Sequence, residues 1–283
     1  MANVAWLGTG LLGSGFVEAM CARGDTVRVW NRTIDKARSL EAHGAIVCTS
    51  AAEAVRGVER VHLCLSDDAA VESVLGSLGG LDARVVVIDH TTVSPEGARA
   101  RAARFVNEGR TLLGCPVFMG PQNARSANGI MLCAGPADAI ERWRAVLSAM
   151  TGKLLVYGED LGVPAAIKLF GNALIIGVTG VLSDALSVTT ERGVAPAEAM
   201  QLLQHFDVGN VVKARGARIL EGDHRASFEL SMARKDVRLM IEGAGQRPLA
   251  ALPSLAARMD ALIDEGHGQD DLAVIAKDSV TRA

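Results

Sequence analysis

Short apolar runs alternate with stretches of helical spacing through the first half of the chain. Val4–Leu7, Thr26–Trp30, Val61–Leu65 and Val85–Asp89 read as strands, and further strands are predicted near Thr111–Gly114, Ile130–Cys133 and Leu154–Tyr157. Leu12–Arg23, Ile34–His43 and the segment between Pro136 and Met150 carry helical spacing. Val85–Asp89 is nearly pure Val and Ile, as a strand buried on both faces would be. Ser50-Ala51-Ala52-Glu53 predicts a capping box, the Ser taking a helix N–H and the Glu reaching back to the Ser N–H. Ser94-Pro95 predicts a helix start, with a polar cap and Pro in the first turn. This alternation predicts an α/β fold: an N-terminal doubly wound, mostly parallel sheet of the Rossmann type.

After about Gly162 the strand pattern stops. Pro164–Glu191 has no internal proline and reads as one long helix. Helical patterns recur over Pro196–His205, Val211–Glu221, Met232–Glu242, Ala250–Glu265 and Asp271–Lys277. The predicted organisation is a sheet domain over residues 1–160 and an all-α domain over 161–283, which opens on the long helix. That second domain is assigned to substrate and to dimerisation.

Composition narrows the class. A length of 283 residues suits two domains, and 49 % apolar with 4 % aromatic residues demands an aliphatic core. A net charge of −3 without a long run of one sign argues against a nucleic-acid partner. The start Met-Ala-Asn-Val-Ala-Trp lacks the basic and apolar regions of a signal peptide. Ala173–Leu182, interrupted by Gly177, Thr179 and Gly180, reads as too short for a membrane span of ~20 apolar residues. Five cysteines without a Cys-x-x-Cys pair read as reduced thiols, and the expected location is the cytoplasm. The six histidines form no pair at i, i+4, so no metal site is expected.

Gly8-Thr9-Gly10-Leu11-Leu12-Gly13 follows the first strand and opens the first helix. In that context each glycine has a purpose: Gly8 for the tight turn, Gly10 for approach to a pyrophosphate, Gly13 for helix–strand packing. The diphosphate would lie on the helix N-terminus, where free N–H groups and the dipole favour anions. After the second strand an NAD site expects a carboxylate for the ribose 2′-OH. The chain has Asn31-Arg32-Thr33 there, which suits the 2′-phosphate of NADP: Arg32 can pair with it, and Asn31 and Thr33 can donate to it. Leu65-Ser66-Asp67 and Asp89-His90-Thr91-Thr92 follow two further strands, at the ends where open α/β sheets bind ligands. His90 reads as structural.

These residues resemble the β-hydroxyacid dehydrogenases, the group that holds 3-hydroxyisobutyrate dehydrogenase and the glyoxylate/succinic semialdehyde reductases. The similarity runs along almost the whole chain: Gly8–Gly13, Asn31-Arg32-Thr33, Asp89–Pro95, Pro116-Val117, Ala124-Arg125-Ser126, Gly162-x5-Lys168-Leu169-x2-Asn172, Lys235-Asp236 and Asp270-Asp271. The resemblance implies that Lys168 is catalytic and that Lys235 closes over the cofactor; by itself Arg234-Lys235-Asp236 is a surface charge cluster. The chemistry agrees, since a carbonyl receiving hydride develops alkoxide charge that an ammonium stabilises and protonates. Asn172 lies one turn further on the same face, placed to hold the substrate oxygen or orient the lysine. The family also implies a homodimer or homotetramer.

The substrate loop departs from the family. Where Ser-Gly-Gly is usual after Pro-Val, the chain has Phe118-Met119-Gly120. With Thr92, these are the expected substrate contacts. The loop has lost a hydroxyl donor and gained apolar bulk. That change implies a more apolar or larger carbonyl compound than 3-hydroxyisobutyrate, or a different grip on its carboxylate. Imine reductases look similar over most of their length, though they usually carry Asp or Tyr in place of Lys168. A 6-phosphogluconate dehydrogenase resembles the N-terminal half. A non-catalytic NADP-binding protein of the same fold is the alternative from another class.

Overall fold

The computed structural model describes residues 2–280. Its elements, in chain order, are β1 (Asn3–Leu7), α1 (Leu11–Ala22), β2 (Thr26–Trp30), α2 (Ile34–Arg38), β3 (Ile46–Val47), α3 (Ala51–Ala54) and β4 (Arg60–Leu63). There follow α4 (Asp68–Gly76), β5 (Val86–Asp89), α5 (Pro95–Asn107), β6 (Leu112–Gly114), β7 (Val117–Phe118), α6 (Pro121–Arg125), β8 (Ile130–Cys133), α7 (Ala137–Ser148) and β9 (Lys153–Val156). The rest is helical: α8 (Gly162–Glu191), α9 (Pro196–Gln201), α10 (Val208–Glu221), α11 (Leu230–Gly243) and α12 (Leu252–Leu262). The chain divides into two compact units between Asn172 and Ala173, inside α8.

The first unit is built on six parallel strands in the order β3-β2-β1-β4-β5-β6, with the reversal at β1. Alternate side chains of the central strands go to opposite faces. Val4, Trp6, Val86 and Ile88 join Phe16, Met20, Trp143 and Leu147 in one core. Ala5, Leu7, Val61, Leu63 and Val87 join Val71, Phe105, Leu161 and Ala165 in the other. This two-sided burial is what the apolar run before Asp89 announced.

Several expectations change in detail. β7, β8 and β9 form a separate three-stranded sheet, with β7 antiparallel to β8. β3 and β7 have two residues each, too few to show a period of two in sequence. The capping box is half made. Ser50 Oγ accepts from Glu53 N–H, but the Glu53 carboxylate accepts from Thr49, both N–H and hydroxyl, one residue earlier than expected. Ser94 caps α5 as read, its Oγ accepting from Gly97 N–H. The helix expected over Ile34–His43 stops at Arg38 and gives way to a 3₁₀ turn ended by Gly44 at φ 91°. The segment after Asp271 is likewise a 3₁₀ helix, Leu272–Ala276.

The long helix is a correction of larger consequence. α8 has 30 residues with an 18-residue window of mean hydropathy 1.8, long and apolar enough by length and composition to cross a membrane. Gly177, Thr179 and Gly180 do not break it. Thr179 Oγ1 donates back to the Ile175 carbonyl at 2.8 Å, which hides its polarity within the helix.

In the second unit Leu230, Val237, Leu252, Met259, Leu262 and Val274 form the core. Two buried carboxylates order the chain around it. Asp184 accepts the N–H groups of Ala250, Ala251 and Leu252, satisfying the free donors where α12 begins. Asp271 accepts N–H from Ser227, Phe228 and Ala273 and pairs with Arg215 and Arg218. Burial alone would raise its pKa. The N–H donors outweigh that and hold it far below the usual carboxylate range.

Candidate active site

The turn after β1 is set by backbone contacts that leave no room for side chains. Gly8 has φ +104°, and its N–H donates to the Trp30 carbonyl at 2.9 Å. A Cβ at Gly8 would run into the Cys64 carbonyl, and one at Gly13 into the Gly8 carbonyl. The Trp6 indole N–H donates to that same Gly8 carbonyl at 3.0 Å. Gly10 differs: it caps α1 without a side chain, and a Cβ there would meet nothing. Its open side belongs to a cleft of about 740 Å³ at the carboxyl ends of β1, β2, β4 and β5. The Thr9 hydroxyl is buried without a hydrogen-bond partner among the described residues. Leu11 and Leu12 complete that lip, Leu11 almost fully exposed. Bare N–H groups at a helix start, an open glycine and an orphaned hydroxyl fit a dinucleotide diphosphate.

The end of β2 carries the next part. The Asn31 amide is committed internally: Oδ1 accepts Thr9 N–H at 3.0 Å and Nδ2 donates to the Thr33 carbonyl at 2.9 Å. It therefore ties the glycine loop to the start of α2, using its oxygen and one of its two Nδ2–H donors. Arg32 and Thr33 are exposed in the cleft wall, and Thr33 makes no side-chain cap. Lys36 lines the same wall, one turn beyond Arg32, and sequence reasoning missed it. The signal was available in the Arg-x-x-x-Lys spacing across a helix start.

Leu65, Ser66, Asp67 and Thr92 also line the cleft, with Thr91 and His90 behind them. Asp67 caps α4, accepting Ala70 N–H at 2.8 Å. Thr91 Oγ1 accepts Leu65 N–H at 3.0 Å, which links the two strand-end loops. His90 is buried in a stack with Trp6, Phe16 and His62. Its protons follow from its neighbours. The Arg60 Nε–H donates to His62 Nε2 at 3.1 Å, so His62 carries its proton on Nδ1. That Nδ1–H donates to His90 Nε2 at 3.0 Å, and the His90 Nδ1–H then donates to the Cys115 carbonyl at 2.8 Å. The chain of bonds works with both rings neutral. Burial pushes the His90 pKa down to about 4 and holds His62 well below its ordinary value, helped by the facing His90 and Arg60.

Lys168 sits two turns into α8. The helix start is anchored by Asp160, which accepts Gly162 N–H at 2.8 Å and pairs in fork fashion with Arg99 of α5. Leu161 and Ala165 are buried on the face that Lys168 and Asn172 continue. The Lys168 ammonium is half-buried and makes no hydrogen bond or ion pair among the described residues; desolvation lowers its pKa. Its contact is the face of Phe118, with Nζ 4.2 Å from the ring centroid. The loop that holds Phe118 is fixed to the cofactor helix: Gly15 lets α6 pack closely on α1, and Arg125 pairs with Glu18 at 2.7 and 3.0 Å. Met119 packs at the edge of a core, and the Gly120 N–H donates to Asn123 Oδ1 at 3.0 Å. Lys235 lies on α11 in the second unit, exposed and paired with Asp236 at 2.9 Å.

A family model described as the NAD binding domain of 6-phosphogluconate dehydrogenase matches residues 3–158. The chain is 25 % identical to the uncharacterized oxidoreductase YfjR of Bacillus subtilis, over 97 % of this chain and 99 % of that one. It is 27 % identical to glyoxylate/succinic semialdehyde reductase 1 of Arabidopsis thaliana, over 92 % of this chain and 91 % of that one. The chain belongs to the β-hydroxyacid dehydrogenase family. It is an oxidoreductase with an NAD(P)-binding domain of the 6-phosphogluconate dehydrogenase type. It spans only 46 % of the length of the Xenopus tropicalis nuclear factor N-PAC, which it matches at 28 % identity over 84 % of this chain. Among solved structures, an imine reductase from Pseudomonas sp. superposes with a TM-score of 0.89 at 19 % identity, over 99 % of both chains. One from Streptomyces aurantiacus gives 0.87 at 26 %, over 98 % of this chain and 99 % of that one.

The histidine stack sets an acid limit on this family member. A histidine whose pKa is depressed on folding contributes stability that is complete above about 6.5 and is lost as pH falls towards the folded value. For His90 the loss reaches about 2 kcal/mol by pH 5, with His62 acting in the same direction. Asp89, which burial raises to about 6, opposes it over part of that range. Urea unfolding midpoints should fall from pH 7 to pH 5, and His90→Asn should flatten that slope. An equal slope in the variant would show that the stack is not what titrates.

Proposed function

We propose that the protein is an NADP(H)-dependent dehydrogenase or reductase that interconverts a small aldehyde or ketone, or a β-hydroxyacid-type substrate, with its alcohol. The observation that carries this reading is the half-buried ammonium of Lys168, without a partner among the described residues, on the same compact unit as the glycine-lined cleft. A bound nicotinamide supplies or accepts the hydride. Lys168 donates an N–H to the carbonyl oxygen, stabilises the charge that grows there and delivers the proton; in the oxidative direction the amine takes it back. Asn172 holds the same oxygen or orients the lysine, and Thr92, Phe118, Met119 and Gly120 contact the rest of the substrate.

Gly8, Thr9, Gly10, Leu11, Leu12 and Gly13 hold the diphosphate, and Leu65, Ser66, Asp67 and Thr92 bear on the ribose and nicotinamide. NADP is favoured over NAD because the wall after β2 presents Arg32 and Lys36 and lacks a carboxylate for the 2′-OH. Asn31 serves by fixing the loop, and Thr33 by its exposed hydroxyl. Lys235 is assigned to the cofactor by the family resemblance alone. In this reading residues 1–160 bind the cofactor, and 161–283 serve substrate and dimerisation. The exposed apolar side chains of α8 (Phe170, Leu174, Ile175, Ile176, Val178) pair with a second copy. The likeness to the Streptomyces aurantiacus imine reductase keeps imine reduction as a second reading.

Three measurements test this. NADPH oxidation followed by absorbance should show turnover of an aldehyde or semialdehyde, and Lys168→Ala should lower kcat by about 10²–10⁴ with the Kd for NADPH within twofold. Turnover of a cyclic imine alone would install the second reading, and an unaffected kcat would remove Lys168 from the chemistry. Arg32→Glu should raise the KM for NADPH about tenfold or more while sparing that for NADH; parallel changes would mean the 2′-phosphate lies elsewhere. Light scattering should give at least twice the 29.6 kDa chain mass, falling to the chain mass in Ile176→Asp. A monomeric wild-type protein would refute the pairing.

A further inference from the structure

Phe118 and Lys168 form one arrangement with Gly171 and Asn123, two residues to which the catalytic reading gives no role. The Phe118 ring lies over the Lys168 ammonium, and its edge enters a notch on α8 that exists because residue 171 has no side chain: a Cβ at Gly171 would run into the ring at Cζ and Cε1. The notch therefore fixes the ring where it covers the lysine. Alongside, the Gly120 N–H is taken by Asn123 Oδ1, and the nearby guanidinium of Arg125 is committed to Glu18. Arg99, which anchors the start of α8, is committed to Asp160.

Resting on the lysine-assisted carbonyl reading above, we propose that the ring seated at Gly171 is a selectivity element, and that this enzyme acts on neutral carbonyl compounds flanked by apolar groups and discriminates against those that carry a carboxylate. The physics is a count of donors. A buried carboxylate needs at least two good partners to offset its lost hydration. Here the loop N–H is already bonded, the loop offers a ring in place of a hydroxyl, and one face of the ammonium is covered. A neutral carbonyl needs a single donor, which Lys168 supplies, and its apolar flank gains contact with the ring. Phe118 is then a specificity-determining residue, and Gly171 a positioning residue that acts through it.

The test uses a matched pair, succinic semialdehyde and its methyl ester, with NADPH and the full-length protein. The wild type should favour the ester in kcat/KM by about tenfold or more. Phe118→Ser should raise kcat/KM for the acid and lower it for the ester, mainly through KM, cutting the ratio by about tenfold. Gly171→Ala should move the ratio the same way by displacing the ring, and Phe118→Leu should keep the ester preference because it adds no donor. Asn123→Ala, which frees the Gly120 N–H, should help the acid alone. An acid-preferring wild type, or ratios unmoved in Phe118→Ser and Gly171→Ala, would overturn the proposal and leave the carbonyl chemistry standing. If neither compound is reduced while NADPH still binds, the carbonyl reading itself fails and takes this inference with it.

Discussion

Backbone packed on backbone around Gly8 is the contact on which the first unit depends. Three strands meet there: the end of β1, the Trp30 carbonyl of β2 and the Cys64 carbonyl after β4. A side chain at Gly8 would have to adopt φ +104°, at a cost on the order of 1–3 kcal/mol, and would also push β4 away. Gly13 then lets α1 settle on the same carbonyl that Trp6 holds from below. The start of α1 is thereby aimed at the cleft with its N–H groups bare, which is the electrostatic feature that a diphosphate needs. The cleft is the empty side of a contact that is otherwise full.

Charge in this unit is divided between groups that hold the scaffold and groups left for ligands. Arg99 is used on Asp160, Arg101 on Asp68 and Glu72, and Arg125 on Glu18, each joining one helix to another or to the loop before it. Buried or fork-paired arginines of this kind set positions more than they add stability. Arg32, Lys36 and Lys168 have no such partner among the described residues. The first two stand on the cleft wall, and the third is desolvated against an aromatic ring. Neutral His62 and His90 complete the scheme, since a charge on either ring would break the run of hydrogen bonds from Arg60 to the Cys115 carbonyl.

Much of this was legible in the order of residues. The strand-glycine-helix junction, the apolar core strands, the Ser94 cap and the Lys168–Asn172 face are local patterns, because backbone sterics and burial periodicity act over a few residues. Asn31 illustrates the limit. Its position at the end of β2 was readable, but not that Thr9 and Thr33 engage its amide. The same holds for Glu53, which reaches Thr49 and not Ser50, and for the two-residue β7, which carries no period to detect.

The order of residues was enough for the parallel character of the main sheet and for the dinucleotide-type turn, which follow from chirality and glycine's missing Cβ, while the candidate lysine came with the family resemblance. Folding had to be complete before it was visible that Phe118 covers Lys168, that Gly171 makes room for it and that Asn123 occupies the Gly120 N–H. Phe118 and Gly171 stand 53 positions apart, and a contact between them depends on how a strand from a small sheet meets a helix. No local preference encodes such a meeting; it is fixed by the packing of α6 on α1 and by the Asp160 anchor that sets where α8 begins.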